Sequence, residues 1–236
     1  MTPEILYEDD YILAVDKPTN LIVHQSVDPQ RANLLKEFES KNRELFLINR
    51  LDKDTSGVIL IAKTKESVTI FSNLFSNKEI EKTYVAIVEG EIDFNEKVVS
   101  NHLGPVKGLR NIHGSVKTGG RKAETIIKKI SSSSGFSLVN AYPKTGRTHQ
   151  IRVHLTELGF PIAGDTDYGA PFRHQFKRMM LHAHSVEFTH PYKNEKIKIT
   201  APLPEDFRES LNYLGLYDRK RGLTPFPIVF HQICRK

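Results

Sequence analysis

Short apolar runs separated by polar turns dominate this chain, and they predict more strands than helices. The runs are three to five residues long, and many are bounded by Gly, Pro, Asn or Asp, the residues that turns prefer. The predicted strands are residues 5–7, 11–15, 21–23, 45–48, 58–62, 84–88, 125–127, 136–139, 186–188 and 197–199. Because several neighbouring runs are joined by short turns, the pattern favours hairpins and a mostly antiparallel sheet.

Apolar residues at helical spacing mark fewer segments. One stripe follows the 3.6-residue period and predicts an amphipathic helix with a core-facing side. Its members are Val68, Phe71, Leu74 and Phe75. Further helices are predicted at residues 33–38, 148–158 and 204–214. Since hairpins outnumber helices, we expect an α+β fold, with a mixed, mostly antiparallel sheet flanked by helices and loops.

Residues 101–122 have a different composition from the rest of the chain. Five glycines lie there among Lys, Arg and His, with few large apolar residues. This composition predicts a loop, or a hairpin with a mobile tip.

The charge of the chain is unevenly distributed. Its 236 residues carry 34 Lys and Arg against 28 Asp and Glu, a net charge of +6. Residues 97–152 contain eleven of the bases and a single acid, Glu124. Such a surplus favours binding to a nucleic-acid backbone, because cations that neutralise phosphates release counterions. A solvated basic face is the alternative interpretation.

Other features exclude several classes of protein. No segment approaches the ~20 apolar residues that cross a bilayer, and the first residues lack the basic and apolar regions of a signal peptide. The single cysteine, Cys234, excludes an internal disulfide framework. We therefore expect a cytoplasmic protein without a membrane partner.

A polar segment, residues 49–57, lies between two predicted buried strands and is the first candidate site. A loop held at both ends positions a reacting group well. Asp52 or Asp54 can act there as a nucleophile or a base. The same residues also suit an ordinary turn in which Asp caps its own backbone, and the spacing alone leaves the two interpretations open.

The second candidate motif is the sequence Gly-Arg-Thr-His-Gln-Ile-Arg before and within a predicted helix. Arg147 and Thr148 are expected in its first turn, where backbone N–H groups beside a fixed cation suit a phosphate or a carboxylate. Arg152 also fits a structural ion pair, and His149 and His154 also fit hydrogen-bonded core histidines.

The ten histidines form no recognisable metal-binding motif. His182-x-His184 and His149-x4-His154 lack a carboxylate at ligand spacing. The glycine motifs that bind nucleotide phosphates are absent from the sequence. We expect neither a metal nor a cofactor.

Seven blocks in the chain occur together and in a fixed order. They are residues 16–24, 50–57, 82–86, 146–154, 164–169, 181–183 and 201–204. The most specific are RLDKDTSG at residues 50–57 and GRTHQIRVH at residues 146–154. The series resembles the RluA-type RNA pseudouridine synthase family from about residue 5 to residue 210.

The resemblance implies an enzyme that converts uridine within RNA into pseudouridine without a cofactor. It selects Asp52 rather than Asp54 as the catalytic aspartate, with Arg152 as its ion-pair partner. Tyr84 is expected to stack on the target base and to accept a proton from the ribose. Ile151 supplies an apolar contact under the base, and Arg50 occupies the place of the flipped nucleotide.

Further RNA contacts are predicted from the basic segment and from the predicted helix start. They are Lys117, Arg121, Lys122, Arg147, Thr148 and His149. One position departs from the family pattern, because Asn49 stands where the aspartate block usually begins with His. Asn keeps hydrogen-bonding groups but carries no charge.

The blocks also define the expected organisation of the chain. We expect a single catalytic domain over residues 1–222, a tail of unknown role at 223–236, and no N-terminal accessory RNA-binding domain. The expected partner is ribosomal or transfer RNA, with no obligatory protein partner, and the expected state is a monomer. Two alternatives are a catalytically silent RNA-binding protein of the same fold and a hydrolase that uses Asp52 with Asp54.

Overall fold

The computed structural model describes residues 3–23, 33–38, 44–109, 111–171 and 175–216. Within these residues eleven strands form one sheet. The strands are β1 (Glu4–Glu8), β2 (Ile12–Lys17), β3 (Phe46–Leu47), β4 (Ser56–Ala62), β5 (Glu81–Glu89), β6 (Glu96–Pro105), β7 (His113–Ser115), β8 (Arg121–Ser133), β9 (Phe136–Pro143), β10 (Leu181–Thr189) and β11 (Lys196–Thr200). The helices are α1 (Leu34–Phe38), α2 (Lys65–Ser76), α3 (Gln150–Glu157) and α4 (Glu205–Tyr213). The tail predicted at residues 223–236 lies outside the described residues.

The sheet is mixed and mostly antiparallel, which confirms the predicted α+β fold. Its strand order is β1-β2-β4-β10-β5-β9-β8-β6-β7, with β3 beside β4 and β11 beside β10. Strands β4 and β10 run parallel, and the other pairs are antiparallel. Strand β10 therefore joins the N-terminal strands to the strands from the middle of the chain.

The contact between β4 and β10 is unusually close at Gly57. Its φ is +110°, in a region that side chains rarely adopt, and a Cβ there would overlap the carbonyl oxygen of Ala183. Because Gly57 lies just after the loop that carries Asp52, this close contact fixes one end of that loop.

Helices α1 and α2 pack on opposite faces of strands β2 and β4. The predicted amphipathic helix is α2, whose Phe71 is fully buried against Leu60 of β4 and Phe188 of β10. Its start is capped by Thr64, whose hydroxyl accepts the Ser67 N–H. Helices α3 and α4 pack on β5 and β9, the strands that form one side of the candidate site.

Several predicted boundaries differ from the structure. Strand β3 is only two residues long, and residues 21–23 contribute one bridge, from Ile22 to Asn33. Within residues 101–122, which were predicted as a loop or a hairpin, β6 continues to Pro105 and pairs with β7, so the described part of this segment is a hairpin.

The prediction for the start of α3 was wrong. His149 adopts a left-handed φ of 55°, and the Arg147 N–H donates to the side chain of Gln150. Arg147 and Thr148 therefore form a turn before the helix rather than its first turn.

Candidate active site

A cleft of about 460 Å³ opens between the loop that precedes β4, the start of β5 and residues 143–152. Eight of the predicted site residues line it. They are Arg50, Asp52, Tyr84, Arg147, Thr148, His149, Ile151 and Arg152. Ile48 and Phe75 add apolar surface to the walls. Residues more than 60 positions apart in the sequence thus meet around one space.

Of the two candidate aspartates, Asp52 lines the cleft and Asp54 does not. Asp52 lines it with a side chain that is 30% exposed, whereas Asp54 is exposed and is not among the residues that line the cleft. The Thr55 N–H donates to the Asp52 carbonyl, which closes a turn between the two aspartates. The geometry thus favours Asp52, the residue that the family resemblance selected.

Two side chains, those of Lys17 and Asn49, stabilise the aspartate loop, which is the segment of residues 49–55 that carries Asp52. Lys17 is fully buried, and its ammonium donates to the carbonyl oxygens of Pro18, Leu21 and Lys53 at 2.8–3.0 Å. Asn49 accepts the Leu60 N–H through its side-chain oxygen at 3.0 Å. Sequence reasoning assigned no role to Lys17, although the residue lies within the first family block.

Arg152 contacts three carboxylates at unequal distances. Its guanidinium donates two hydrogen bonds to Asp165, at 2.7 and 2.8 Å, and one to Asp167 at 2.7 Å. The distance from its remaining nitrogen to Asp52 Oδ2 is 3.8 Å. The predicted Asp52–Arg152 ion pair is therefore present, but Asp165 and Asp167 hold the arginine more closely.

This arrangement keeps Arg152 charged. Burial disfavours the charged guanidinium, but the hydrogen bonds that it donates to Asp165 and Asp167 outweigh that cost and raise the pKa of Arg152. Asp165 is 1% exposed, so its carboxylate is held against Arg152 away from water. Sequence analysis missed this role, because a Gly-Asp-x-x-Tyr-Gly segment is also ordinary turn chemistry.

Tyr84 and Ile151 provide part of the apolar surface of the cleft. Burial and the nearby charge of Asp52 raise the pKa of the Tyr84 phenol, so the ring is neutral at neutral pH. Ile151 is 7% exposed and lines the cleft from α3. Both side chains also belong to the hydrophobic core, which limits their movement.

The turn before α3 contributes three predicted RNA contacts. Thr148 is exposed in the cleft, and the Arg147 side chain donates to the Lys122 carbonyl oxygen at 2.9 Å. The His149 ring is hydrogen-bonded to the Tyr168 hydroxyl at 3.0 Å. Burial lowers the pKa of His149, which is therefore a neutral polar group in the cleft.

The other predicted RNA contacts lie at the edge of the cleft or outside it. Arg50 lines the cleft and is exposed. Lys117, Arg121 and Lys122 are exposed on the β7–β8 connection and the start of β8, outside the residues that line the cleft. The contact from Arg147 to Lys122 links this basic segment to the cleft wall.

Helix α3 is anchored by a chain of buried polar groups. Gln150 donates to the Thr125 hydroxyl, which in turn donates to His154 Nδ1, each at 2.9 Å. His154 Nε2 then donates to the side-chain oxygen of Asn101, also at 2.9 Å. His154 is thus a hydrogen-bonded core histidine, and this network fixes the position of Arg152 on the same helix.

The described residues contain neither a cluster suited to a metal ion nor a membrane-spanning helix. In the part of the chain that is described, no group of three His, Cys, Asp or Glu side chains is arranged to hold a metal ion. No helix there is long and apolar enough to cross a membrane.

Comparison with known proteins identifies the family. The sequence model described as RNA pseudouridylate synthase matches residues 11–157 of this chain. The chain belongs to the RNA pseudouridylate synthase family. This confirms the resemblance that the seven blocks indicated, and the enzyme is an isomerase that converts uridine into pseudouridine in RNA.

Individual pseudouridine synthases are similar over most of the chain. The ribosomal large subunit pseudouridine synthase C of Vibrio vulnificus is 36% identical over 218 residues, which cover 89% of this chain and 69% of the relative. The tRNA pseudouridine synthase C of Pasteurella multocida is 33% identical over 90% of this chain and 96% of its own length. None of these similarities favours the catalytically silent alternative.

A solved pseudouridine synthase structure supports the fold. The human RNA pseudouridylate synthase domain containing 4 superposes with a TM-score of 0.74 and 26% identity, over 89% of this chain and 92% of that structure. The mixed sheet and its helices are therefore those of a pseudouridine synthase domain.

Proposed function

We propose that this pseudouridine synthase modifies uridines in ribosomal or transfer RNA, with Asp52 as the catalytic residue. The observation that carries the proposal is the position of Asp52 in the cleft, 3.8 Å from the guanidinium of Arg152 and beside Tyr84 and Ile151. Asp54, two residues later, is not among the residues lining that cleft.

The reaction exchanges one bond of the base for another. The bond between the ribose and the ring nitrogen breaks, and a bond from the ribose to a ring carbon forms. The nitrogen gains a proton and the carbon loses one, so the product is an isomer and no cofactor is consumed. Asp52 acts as a nucleophile, or as an electrostatic stabiliser, while the detached ring rotates.

The target base has to leave the RNA stack before Asp52 can reach it. Arg50, exposed at the cleft, takes the place of the flipped nucleotide. Tyr84 and Ile151 contact the faces of the uracil ring. Because the raised pKa of Tyr84 keeps its phenol neutral, the ring serves as a stacking surface and holds no resting charge that would compete with Asp52.

Arg147, Thr148 and His149 hold the RNA beside the cleft. Lys117, Arg121 and Lys122 extend this contact along the basic segment, where their exposed charges attract phosphates. We further propose that the enzyme works as a monomer in the cytoplasm, without an obligatory protein partner, and that residues 1–222 form one catalytic domain.

The test compares RNA from cells with and without the gene. Pseudouridines are mapped in ribosomal and transfer RNA, and the purified enzyme is added back to RNA from the cells that lack it. We expect at least one uridine to remain unmodified without the gene and to be converted by the purified enzyme. Identical maps, together with no conversion by the enzyme, contradict the proposal.

A further inference from the structure

Three cations lie together on the wall of the cleft next to Tyr84. Lys82, Lys144 and Arg147 all line the cleft, and Lys82 is two residues before Tyr84 on β5. Residues two apart on a strand point to the same face, about 7 Å from each other. A base that stacks on Tyr84 therefore has its sugar-phosphate backbone within reach of these cations.

Lys82 has little to compensate its charge. Its ammonium is partly buried, donates to the Thr145 carbonyl oxygen at 3.2 Å and lies over the Phe75 ring at 5.9 Å. Among the described residues, no carboxylate forms an ion pair with Lys82 or Lys144. Within the same residues, the partner of the Arg147 side chain is likewise a backbone carbonyl, that of Lys122.

An arrangement of three like charges, one of them partly buried, is unfavourable unless an anion binds to it. We propose that Lys82, Lys144 and Arg147 bind one backbone phosphate of the RNA, adjacent to the uridine that enters the cleft at Asp52. This inference rests on the proposed function, and it adds a phosphate subsite that orients the strand around the flipped nucleotide.

The protonation of Lys82 responds to such an anion. Burial, together with the charges of Lys144 and Arg147, lowers the pKa of Lys82 to about 8. The other titratable groups that line the small adjoining pocket are Lys78, Glu81 and Tyr142, and no ion pair joins Glu81 to Lys82 among the described residues. A bound phosphate favours the ammonium form, so RNA affinity is expected to fall as the pH rises through about 8 in the free enzyme.

The experiment measures binding to a fluorescent oligouridylate of about twelve nucleotides, a length near the upper range of single-strand site sizes. Because every nucleotide of this probe is a uridine, a uridine reaches Asp52 wherever the strand is placed along the cleft. Affinity is measured against salt concentration, and between pH 7 and pH 9, for the wild type, Lys82→Met, Lys82→Arg and Lys144→Met. Lys198→Met is the matched control, because Lys198 is an exposed lysine on β11 whose partner is Glu187. Conversion of cellular RNA by the wild type is measured in parallel.

We expect Lys82→Met to weaken binding about tenfold at 0.1 M salt, since a hydrogen bond to a charged group is lost. Loss of one phosphate contact lowers the salt slope by about 0.7 for a single strand. Lys144→Met, whose exposed side chain is not required for folding, changes both quantities in the same direction. Lys82→Arg is expected to keep the wild-type salt slope and to abolish the loss of affinity between pH 7 and 9.

The inference is overturned if Lys82→Met and Lys144→Met behave like Lys198→Met. It is also overturned if the pH dependence persists in Lys82→Arg. If either result accompanies normal RNA conversion by the wild type, the proposed function stands and only the phosphate subsite fails. If the wild type converts no cellular RNA, that measurement contradicts the proposed function itself.

Discussion

Arg152 contacts three carboxylates in the candidate site. It thereby links Asp52 to Asp165 and Asp167. Asp165 is buried and accepts two hydrogen bonds from Arg152, whereas Asp167 is 51% exposed and accepts one. A buried pair contributes more than an exposed one when a single partner is removed. Asp165 is therefore expected to position Arg152 for its contact with Asp52.

Replacing Asp165 with Asn is expected to lower both stability and catalysis. We expect a loss of about 3 kcal/mol in the free energy of unfolding, because a buried arginine loses its charged partner. Misplacement of Arg152 is expected to reduce kcat roughly 100-fold, while KM for RNA changes little.

The matched variant is Asp167→Asn, which removes an exposed partner of the same arginine. It is expected to change the free energy of unfolding by less than about 1 kcal/mol. Urea denaturation and single-turnover kinetics measure these effects. Equal losses in the two variants would contradict a special role for Asp165.

Eight of the eleven residues that the sequence predicted for the site line the cleft, but the sequence did not indicate how they are held. Asp52 and Asp54 are equally polar and lie in one loop, so only the family resemblance distinguished them. The roles of Lys17 and Asp165 depend on contacts with residues distant in the sequence, such as the Lys53 carbonyl and the Arg152 guanidinium. No local pattern carries that information.

At the scale of elements, the junction between β4 and β10 determines where the aspartate loop lies. Ser56 and Gly57 pair with His182 and Ala183 in parallel register. The Ser56 hydroxyl is also hydrogen-bonded to the His182 ring at 2.9 Å. The hairpins were predictable from the local alternation of apolar and polar residues and from the short turns. The pairing of β4 with β10 was not predictable in this way, because it joins segments about 125 residues apart.

The substitution Gly57→Ala tests this junction. Its Cβ would overlap the Ala183 carbonyl at a φ that alanine tolerates poorly, so we expect a loss of roughly 3 kcal/mol in the free energy of unfolding. Gly146→Ala is the control, because a Cβ at Gly146 meets open space, and it should change stability by less than about 0.5 kcal/mol. Thermal unfolding followed by circular dichroism distinguishes the two. A Gly57→Ala protein as stable as the wild type contradicts the role of the junction.

At the scale of the whole molecule, one sheet joins regions of opposite charge. The first 76 residues contain more acids than bases, and their strands β1, β2 and β4 lie on one side of β10. The basic strand β8, with four Lys and Arg against one Glu, lies on the other side, and the cleft lies between the two regions. The charge pattern was readable from the sequence, but the position of Asp52 at the boundary depends on the strand order.

Buried histidines are expected to make the molecule less stable at mildly acidic pH. Burial lowers the pKa of His154 and His184 to about 4 and that of His182 to about 3, against 6.5 in the unfolded chain. Below pH 6.5 the unfolded chain therefore binds more protons than the folded one, and stability falls as the pH decreases towards 4. Burial raises the pKa of Asp16 to about 6, so this group stabilises the folded chain as the pH decreases. One such group offsets only part of the effect of the three histidines.

Urea unfolding at pH 7.5 and pH 5.0 measures this effect. We expect a lower midpoint at pH 5.0, and a smaller difference between the two pH values in the variant His154→Gln. A midpoint that does not change with pH would show that these histidines are not kept neutral by the fold.

Pseudouridine formation by Asp52→Asn tests the catalytic role of Asp52 most directly, with Asp54→Asn as the matched control in the same loop. Each purified variant is incubated with RNA from cells that lack the gene, and pseudouridine is quantified by mass spectrometry alongside RNA affinity. We expect the wild type and Asp54→Asn to form pseudouridine, and Asp52→Asn to bind RNA with nearly unchanged affinity but to form none. Appreciable pseudouridine formation by Asp52→Asn would show that Asp52 is not the catalytic residue.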